Sequence, residues 1–258
     1  MLPTQMDFIN EIKERKELSG FSNKMIASEL KSYLNKNQIS LENLKGKDRK
    51  LVVKEIRGTL RKYVGRFYVS RKRKLVFLNK NEISELLKTH SSTKERLPFY
   101  DNLIKIINNL SPKSILDLGC GLNPIAIANS GTKYFACDIN KEDLEIVKAY
   151  FKKNNISGKV FYHDLRNLNE NIPDADLCLL LKIFDVIETK NHKMAEEIIK
   201  KLNCKNILIS FSTKTLSGKP MNHPQRGWIE RLLSRLGYEY QLIKEKNEIF
   251  YLVKKIKI

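Results

Sequence analysis

Three aspartates each close a short, largely apolar segment: Asp117 in "SILDLGCGLNPIAI", Asp138 in "YFACDIN" and Asp164 in "FYHDLRN". Gly119 and Gly121 follow the first of them. Glycine has no Cβ, so a ligand can approach the backbone of such a loop closely. A carboxylate at the end of the next strand can accept hydrogen bonds from both hydroxyls of a ribose. Each aspartate alone reads equally as a strand-end turn or a helix cap. Three of them at successive strand ends point to a ligand, because ligands of open α/β sheets sit at the carboxyl ends of the strands. The loop runs Gly-Cys-Gly-Leu-Asn-Pro and lacks the third glycine of the dinucleotide fingerprint, and an acid beside it suits a cationic ligand better than a phosphate.

The elements that must position these residues are legible as a change of periodicity. After residue 112 the pattern predicts strands at Ser114–Leu118, Tyr134–Asp138, Val160–His163, Leu177–Leu181 and Ile207–Phe211. Helices are predicted to begin near Pro124, Lys141, His192 and Pro224. Two last strands, Tyr238–Lys244 and Ile249–Lys254, should form a hairpin around Asn247. Alternation of this kind implies an α/β domain with a mostly parallel sheet covered on both faces and a terminal antiparallel hairpin. Asn123 suits an N-cap and Pro124 the first helical position. Upstream, Ser92 and Glu95 read as a capping box before Leu97, Leu103, Ile104 and Ile107, with the helix ending before Ser111-Pro112. Capping leaves Arg96 unexplained.

Residues 1–88 are helical in pattern. Phe8, Ile12, Met25, Ile26, Leu30, Tyr33 and Leu34 recur at three- to four-residue steps, and Gly20 and the Gly46 region read as breaks, which predicts a small domain of about four helices. The chain carries 48 Lys+Arg against 29 Asp+Glu, a net charge of +19, which points to a polyanion as partner, nucleic acid first. Much of the excess lies between Lys45 and Lys74, where Asp48 and Glu55 are the only acids. At 100° per residue Lys50, Lys54, Arg57 and Arg61 share one stripe of a helix, and Val52, Ile56, Leu60, Tyr63 and Phe67 share another roughly opposite. The first stripe is the predicted RNA-binding face. A solvated basic face is the competing reading, disfavoured by the scarcity of interleaved acids. No apolar run approaches the length of a membrane span and no signal-peptide pattern opens the chain, so a cytoplasmic protein with no membrane partner is expected. Cys120, Cys137, Cys178 and Cys204 form no C-x-x-C pair, and His90, His163, His192 and His223 have no metal spacing. Reduced thiols and no metal site are expected.

The strings "HSSTKERLPFY", "ILDLGCGLNPIAI", "CDIN", "HDLRN", "LLLKIFDVIE" and "SFSTKTLSGKPM", in that order, resemble the aminoglycoside-resistance 16S ribosomal RNA methyltransferases that modify N7 of a guanine. The resemblance spans about residues 88 to 222, and its glycine loop is similar to motif I of the class I S-adenosylmethionine-dependent methyltransferases. It implies a Rossmann-like class I methyltransferase domain over 89–258, a basic helical RNA-docking domain over 1–88, S-adenosylmethionine as cofactor and ribosomal RNA of the 30S subunit as partner. It further implies that Arg96 holds the cofactor carboxylate, that Asp117, Gly119 and Gly121 hold its amino-acid end, that Asp138 binds the ribose, and that Asp164 lies near the adenine.

Guanine N7 carries a lone pair and no proton, so transfer to it needs alignment and charge stabilisation but no general base. Lys182, directly after an apolar strand, is the candidate catalytic residue. Lys214 and Lys219 are candidate phosphate contacts, with Arg226 and Arg231 weaker ones. Phe99, Tyr100, Phe184 and Phe211 are either core residues or stacking platforms for a flipped base. Two alternatives stay open: a non-catalytic RNA-binding or assembly factor that keeps the fold, and a methyltransferase of another RNA.

Overall fold

The computed structural model describes residues 3–64, 69–167, 171–188, 192–215 and 218–255. Phe67 and Arg66 of the basic segment, and Ser217 of the "TLSGK" stretch, lie outside the described residues.

The N-terminal helices are α1 (Pro3–Lys13), α2 (Asn23–Asn37) and α3 (Gly46–Val64). They enclose their own core of Phe8, Ile12, Met25, Leu30, Val52, Ile56 and Leu60. Ser22 caps α2 by accepting from the Met25 amide, and the helix stops at Gln38, whose left-handed backbone closes it. The predicted apolar stripe of α3 is thus the face that packs. Two further helices, α4 (Arg71–Asn79) and α5 (Ile83–Lys88), lie before residue 89. Their Leu78, Leu86 and Leu87 join the core beneath the sheet rather than the helical core.

Next come α6 (Ser91–Arg96) and α7 (Tyr100–Asn109), separated by a 3-10 turn at Leu97–Phe99. Pro98 in that turn lacks an N–H, so the single helix read from the apolar spacing is broken there. The open sheet then follows: β1 (Ser114–Leu118), α8 (Asn123–Ile127), β2 (Lys133–Asp138), α9 (Lys141–Lys153), β3 (Gly158–Tyr162), β4 (Leu177–Leu181), α10 (Phe184–Ile187), α11 (Lys193–Lys201), β5 (Asn206–Ser212), α12 (Gly227–Arg235), β6 (Glu239–Lys244) and β7 (Glu248–Lys254).

The strand order is β3-β2-β1-β4-β5-β7-β6. β1 to β5 are parallel, and β7 runs antiparallel between β5 and β6. This is the Rossmann-like class I arrangement with its terminal hairpin. α7, α8 and α9 cover one face with α4 and α5, and α10, α11 and α12 cover the other. The order reverses between β1 and β4, which opens a crevice at the carboxyl ends of β1, β2 and β4. The helical unit is fixed beside that crevice. The Gly20 carbonyl accepts from the Lys141 amide at 3.0 Å, and Ser22 Oγ lies 3.0 Å from Tyr162 Oη. Phe99, Tyr100, Phe184 and Phe211 are all buried core, so none of them is a stacking platform in this structure.

Candidate active site

The crevice is a cleft enclosing about 650 Å³ of empty space, its open mouth included. Gly119, Asp138, Asp164 and Lys182 line it, brought together from four loops at the carboxyl ends of β1 to β4. Gly119 and Gly121 have φ of +68° and +49°, a region that side chains with a Cβ rarely adopt. A Cβ on Gly119 would stand 2.5 Å from Ile183 Cδ1, and one on Gly121 would stand 2.9 Å from His90 Nε2. The loop therefore needs glycine on both conformational and steric grounds.

Asp138 braces that loop. Its Oδ2 accepts from the Gly121 amide at 2.8 Å and its Oδ1 from the Asn140 amide at 2.8 Å. Burial pushes its pKa up to about 6 against the opposing pull of those amides. Asp117 is fully buried one strand away. Its Oδ2 accepts from Tyr134 Oη at 2.9 Å, while Oδ1 has no hydrogen-bond partner. Burial raises its pKa to about 7, with the Tyr134 bond and Arg96 acting the other way. Asp117 is 0% exposed and does not line the cleft, so the structure does not bring it together with Gly119, Asp138 and Asp164. Asp164 forms a bidentate pair with Arg166, at 2.9 Å from Nε and 2.7 Å from Nη2.

Arg96 departs from the sequence expectation. It is completely buried and does not line the cleft. Its Nε and Nη2 donate to Glu248 at 3.1 and 2.7 Å, and its Nη1 donates to Asn123 Oδ1 at 2.5 Å. Asn123 also accepts from Tyr100 Oη at 2.7 Å. The guanidinium thus ties β7 to the start of α8, beneath the glycine loop, and its charge is neutralised by a carboxylate 152 residues away. Asn123 follows the same logic. The cap position falls on Leu122, and the Asn123 side chain serves Arg96 and Tyr100. The capping box is also replaced: α6 starts at Ser91 with His90 as its cap residue, and Glu95 Oε2 accepts from Lys182 Nζ at 2.6 Å.

Lys182 lines the cleft. Its φ is +60°, held by amide bonds to the Ser210 carbonyl at 3.1 Å and Ser210 Oγ at 3.0 Å. A left-handed lysine costs free energy, and such strain is concentrated at functional sites. Its ammonium stands between Glu95 and Glu248, the latter at 3.5 Å.

The basic stripe divides. Lys50 and Lys54 are exposed on α3. Arg57 turns inward, donating to the carbonyls of Glu11 and Ile12 and pairing with Glu14, and Arg61 pairs with Glu17 at 2.9 Å. Those acids lie in the segment just after α1, outside a count confined to Lys45–Lys74. Lys214 is half-buried and Lys219 exposed, and the Thr215 amide donates to the Lys219 carbonyl at 2.8 Å. Arg226 is engaged with Asp185 at 3.1 Å and with backbone carbonyls, which removes it as a free phosphate contact, while Arg231 is exposed. His90, Tyr63 and Arg166 also line the cleft and were not singled out. The strings "HSSTKER" and "HDLRN" contain two of them, and Tyr63 falls on the apolar stripe of α3.

Among the described residues no helix is long and apolar enough to cross a membrane, and no group of three His, Cys, Asp or Glu is placed to hold a metal ion.

A family model described as ribosomal RNA methyltransferase (FmrO) matches residues 59–252. A 16S rRNA (guanine(1405)-N(7))-methyltransferase of Serratia marcescens is 28% identical over 185 residues, 69% of this chain and 72% of the relative. One of Micromonospora rosea is 30% identical over 179 residues, 66% of this chain and 64% of the relative. The chain thus aligns with about two thirds of the length of these relatives. Among solved structures, the 16S rRNA methyltransferase RmtF in complex with S-adenosyl-L-homocysteine superposes with a TM-score of 0.83 at 23% identity, covering 99% of this chain and 100% of that one. At that identity the likeness establishes the fold.

Proposed function

From the premise that the chain belongs to the FmrO family of ribosomal RNA methyltransferases, we propose that it transfers the methyl group of S-adenosylmethionine to 16S rRNA of the small subunit, at N7 of a guanine. The observation that carries this reading is the convergence of Gly119, Asp138, Asp164 and Lys182 on one cleft inside the matched segment. S-adenosylmethionine supplies a methyl group made electrophilic by its sulfonium. When the cofactor is bound, Asp138 would hold the ribose hydroxyls, the loop from Gly119 to Gly121 its amino-acid end and Asp164 the adenine, while Asp117, buried outside the cleft lining, would tie β1 to β2 through Tyr134. Arg96 acts as a positioning residue that holds α8 and β7 in register below the loop.

Lys182 lies on the target side. An ammonium paired with two carboxylates is not a base, and N7 needs none. It suits a donor to guanine O6, the acceptor beside N7. The alternative of a fold kept without turnover has to explain why a left-handed lysine lines the cleft. A methyltransferase of another RNA would keep the cofactor cleft and differ in what docks above it.

Residues 1–88 serve as the docking part and 89–258 as the transfer part, although α4 and α5 pack under the sheet. The protein acts in the cytoplasm on the 30S subunit without a metal. The product is itself diagnostic. Methylation at N7 labilises the glycosidic bond, so borohydride reduction and aniline treatment of 16S rRNA exposed to the enzyme should cleave the strand at the modified guanosine. Intact RNA after stoichiometric methyl transfer would exclude N7.

Two further outcomes are expected. Lys50→Glu with Lys54→Glu should weaken binding to small subunits and reduce the salt dependence by about two released counterions, with cofactor affinity unchanged. Arg57→Glu with Arg61→Glu should instead lower the melting temperature, since those side chains hold the end of α1 and the segment after it against α3. Filter binding across a salt series, with thermal melts, separates the two pairs.

The second outcome concerns pH. Asp138 is an acid whose pKa in the folded protein is raised to about 6, so its carboxylate is lost as pH falls through that value. Affinity for S-adenosylhomocysteine should drop several-fold between pH 7.5 and 5.5, as read by calorimetry. A flat profile would remove Asp138 from the contact.

A further inference from the structure

The cleft has a wall that does not come from the sheet domain. Tyr63, near the end of α3, lines it beside Ile139, Asp164 and Arg166. The same ring packs edge-on against Phe21 at 6.3 Å in the helical unit, so its position is set by the docking part. Arg166 joins the two parts. Its Nε and Nη2 donate to the two carboxylate oxygens of Asp164, its guanidinium lies 5.6 Å from the centre of the Tyr63 ring, and its Nη1 pairs with Glu29 of α2. Glu29 is largely buried, which makes this pair less screened than a surface one. The exposed Lys50 and Lys54 are on the same helix as Tyr63, α3. A ligand that contacts α3 from outside therefore acts on an element that also forms one wall of the cleft.

We propose that the cofactor site is shared between the two units. Tyr63 supplies the aromatic wall for the purine, and the chain Glu29–Arg166–Asp164 links that wall to the acid at the adenine end, so RNA engagement of α3 and cofactor binding strengthen each other. The inference rests on the cleft being the S-adenosylmethionine site and the α3 face meeting RNA. Linkage then makes the effect reciprocal: whatever factor the RNA adds to cofactor affinity, the cofactor adds to RNA affinity.

Calorimetry and equilibrium dialysis with S-adenosylhomocysteine, with and without saturating small subunits, test it. In the full-length protein the subunits should tighten the ligand about tenfold, within the usual span of coupling between sites. Glu29→Gln should leave the affinity of the free protein within about threefold and reduce the coupling to less than about threefold. Tyr63→Leu should weaken binding to the free protein about tenfold, and Tyr63→Phe, which keeps the ring and its packing on Phe21, should restore it. Melting curves of all three confirm that they fold. Subunits that bind while leaving ligand affinity unchanged would overturn the inference and leave the proposed function standing. So would Glu29→Gln with undiminished coupling, or Tyr63→Leu with undiminished affinity. Subunits that fail to bind at all would overturn the proposed function and the inference with it.

Discussion

Asp138→Ala is expected to raise the dissociation constant of S-adenosylhomocysteine about a hundredfold or more, with small-subunit binding retained. Two effects combine. The ribose loses charge-assisted hydrogen bonds, each contributing roughly 1.5 to 3 kcal/mol. The glycine loop also loses its tether, because Gly121 now has no carboxylate to donate to. Asp138→Asn keeps an oxygen at the site and should fall between the two, about tenfold weaker than the native protein. Calorimetry on both variants gives the answer, with thermal melts to confirm that α8 and β2 stay in place. Native affinity in the alanine variant would remove the ribose from this position.

Arg96→Leu should be the most destabilising single change in the transfer part. It leaves Glu248 buried with Ser210 Oγ and a lysine at 3.5 Å as its remaining partners. Removing one member of a buried ion pair costs about 3 to 5 kcal/mol, a loss of roughly 10 °C in melting temperature for a chain of this size. Adding Glu248→Leu should recover much of that loss, since an apolar pair of similar volume is tolerated where a lone charge is not. If Arg96 instead held the cofactor carboxylate directly, Arg96→Leu would weaken ligand binding with little change in melting temperature. Melts and calorimetry on the same sample separate the two roles.

Much of the sheet was legible because apolar runs bounded by loop signals have few other readings. Ser114–Leu118 and Leu177–Leu181 lie where they were expected, and the helix predicted at Lys141 starts there. The gathering of Gly119, Asp138 and Asp164 in one cleft was legible for a related reason. In a parallel sheet, strand ends that are far apart in sequence share one edge. What misled were local rules with distant competitors. Ser92 and Glu95 satisfy the spacing of a capping box, yet Lys182 takes Glu95 from across the cleft. Asn123 has the side chain of a cap, yet Arg96 and Tyr100 claim its oxygen. Arg57 and Arg61 share a helical face with Lys50 and Lys54, but Glu14 and Glu17, just after the first helix, lie against only the later two. In each case the partner is set by tertiary packing, which carries no fixed sequence spacing.

The central claim is methyl transfer to small-subunit RNA. Its most direct test is tritium transfer from labelled S-adenosylmethionine to purified small subunits, large subunits and transfer RNA, with nucleoside analysis of the product. Label confined to the small subunit and recovered as 7-methylguanosine is the predicted result. Tight cofactor binding with no label in any of the three RNAs would contradict it.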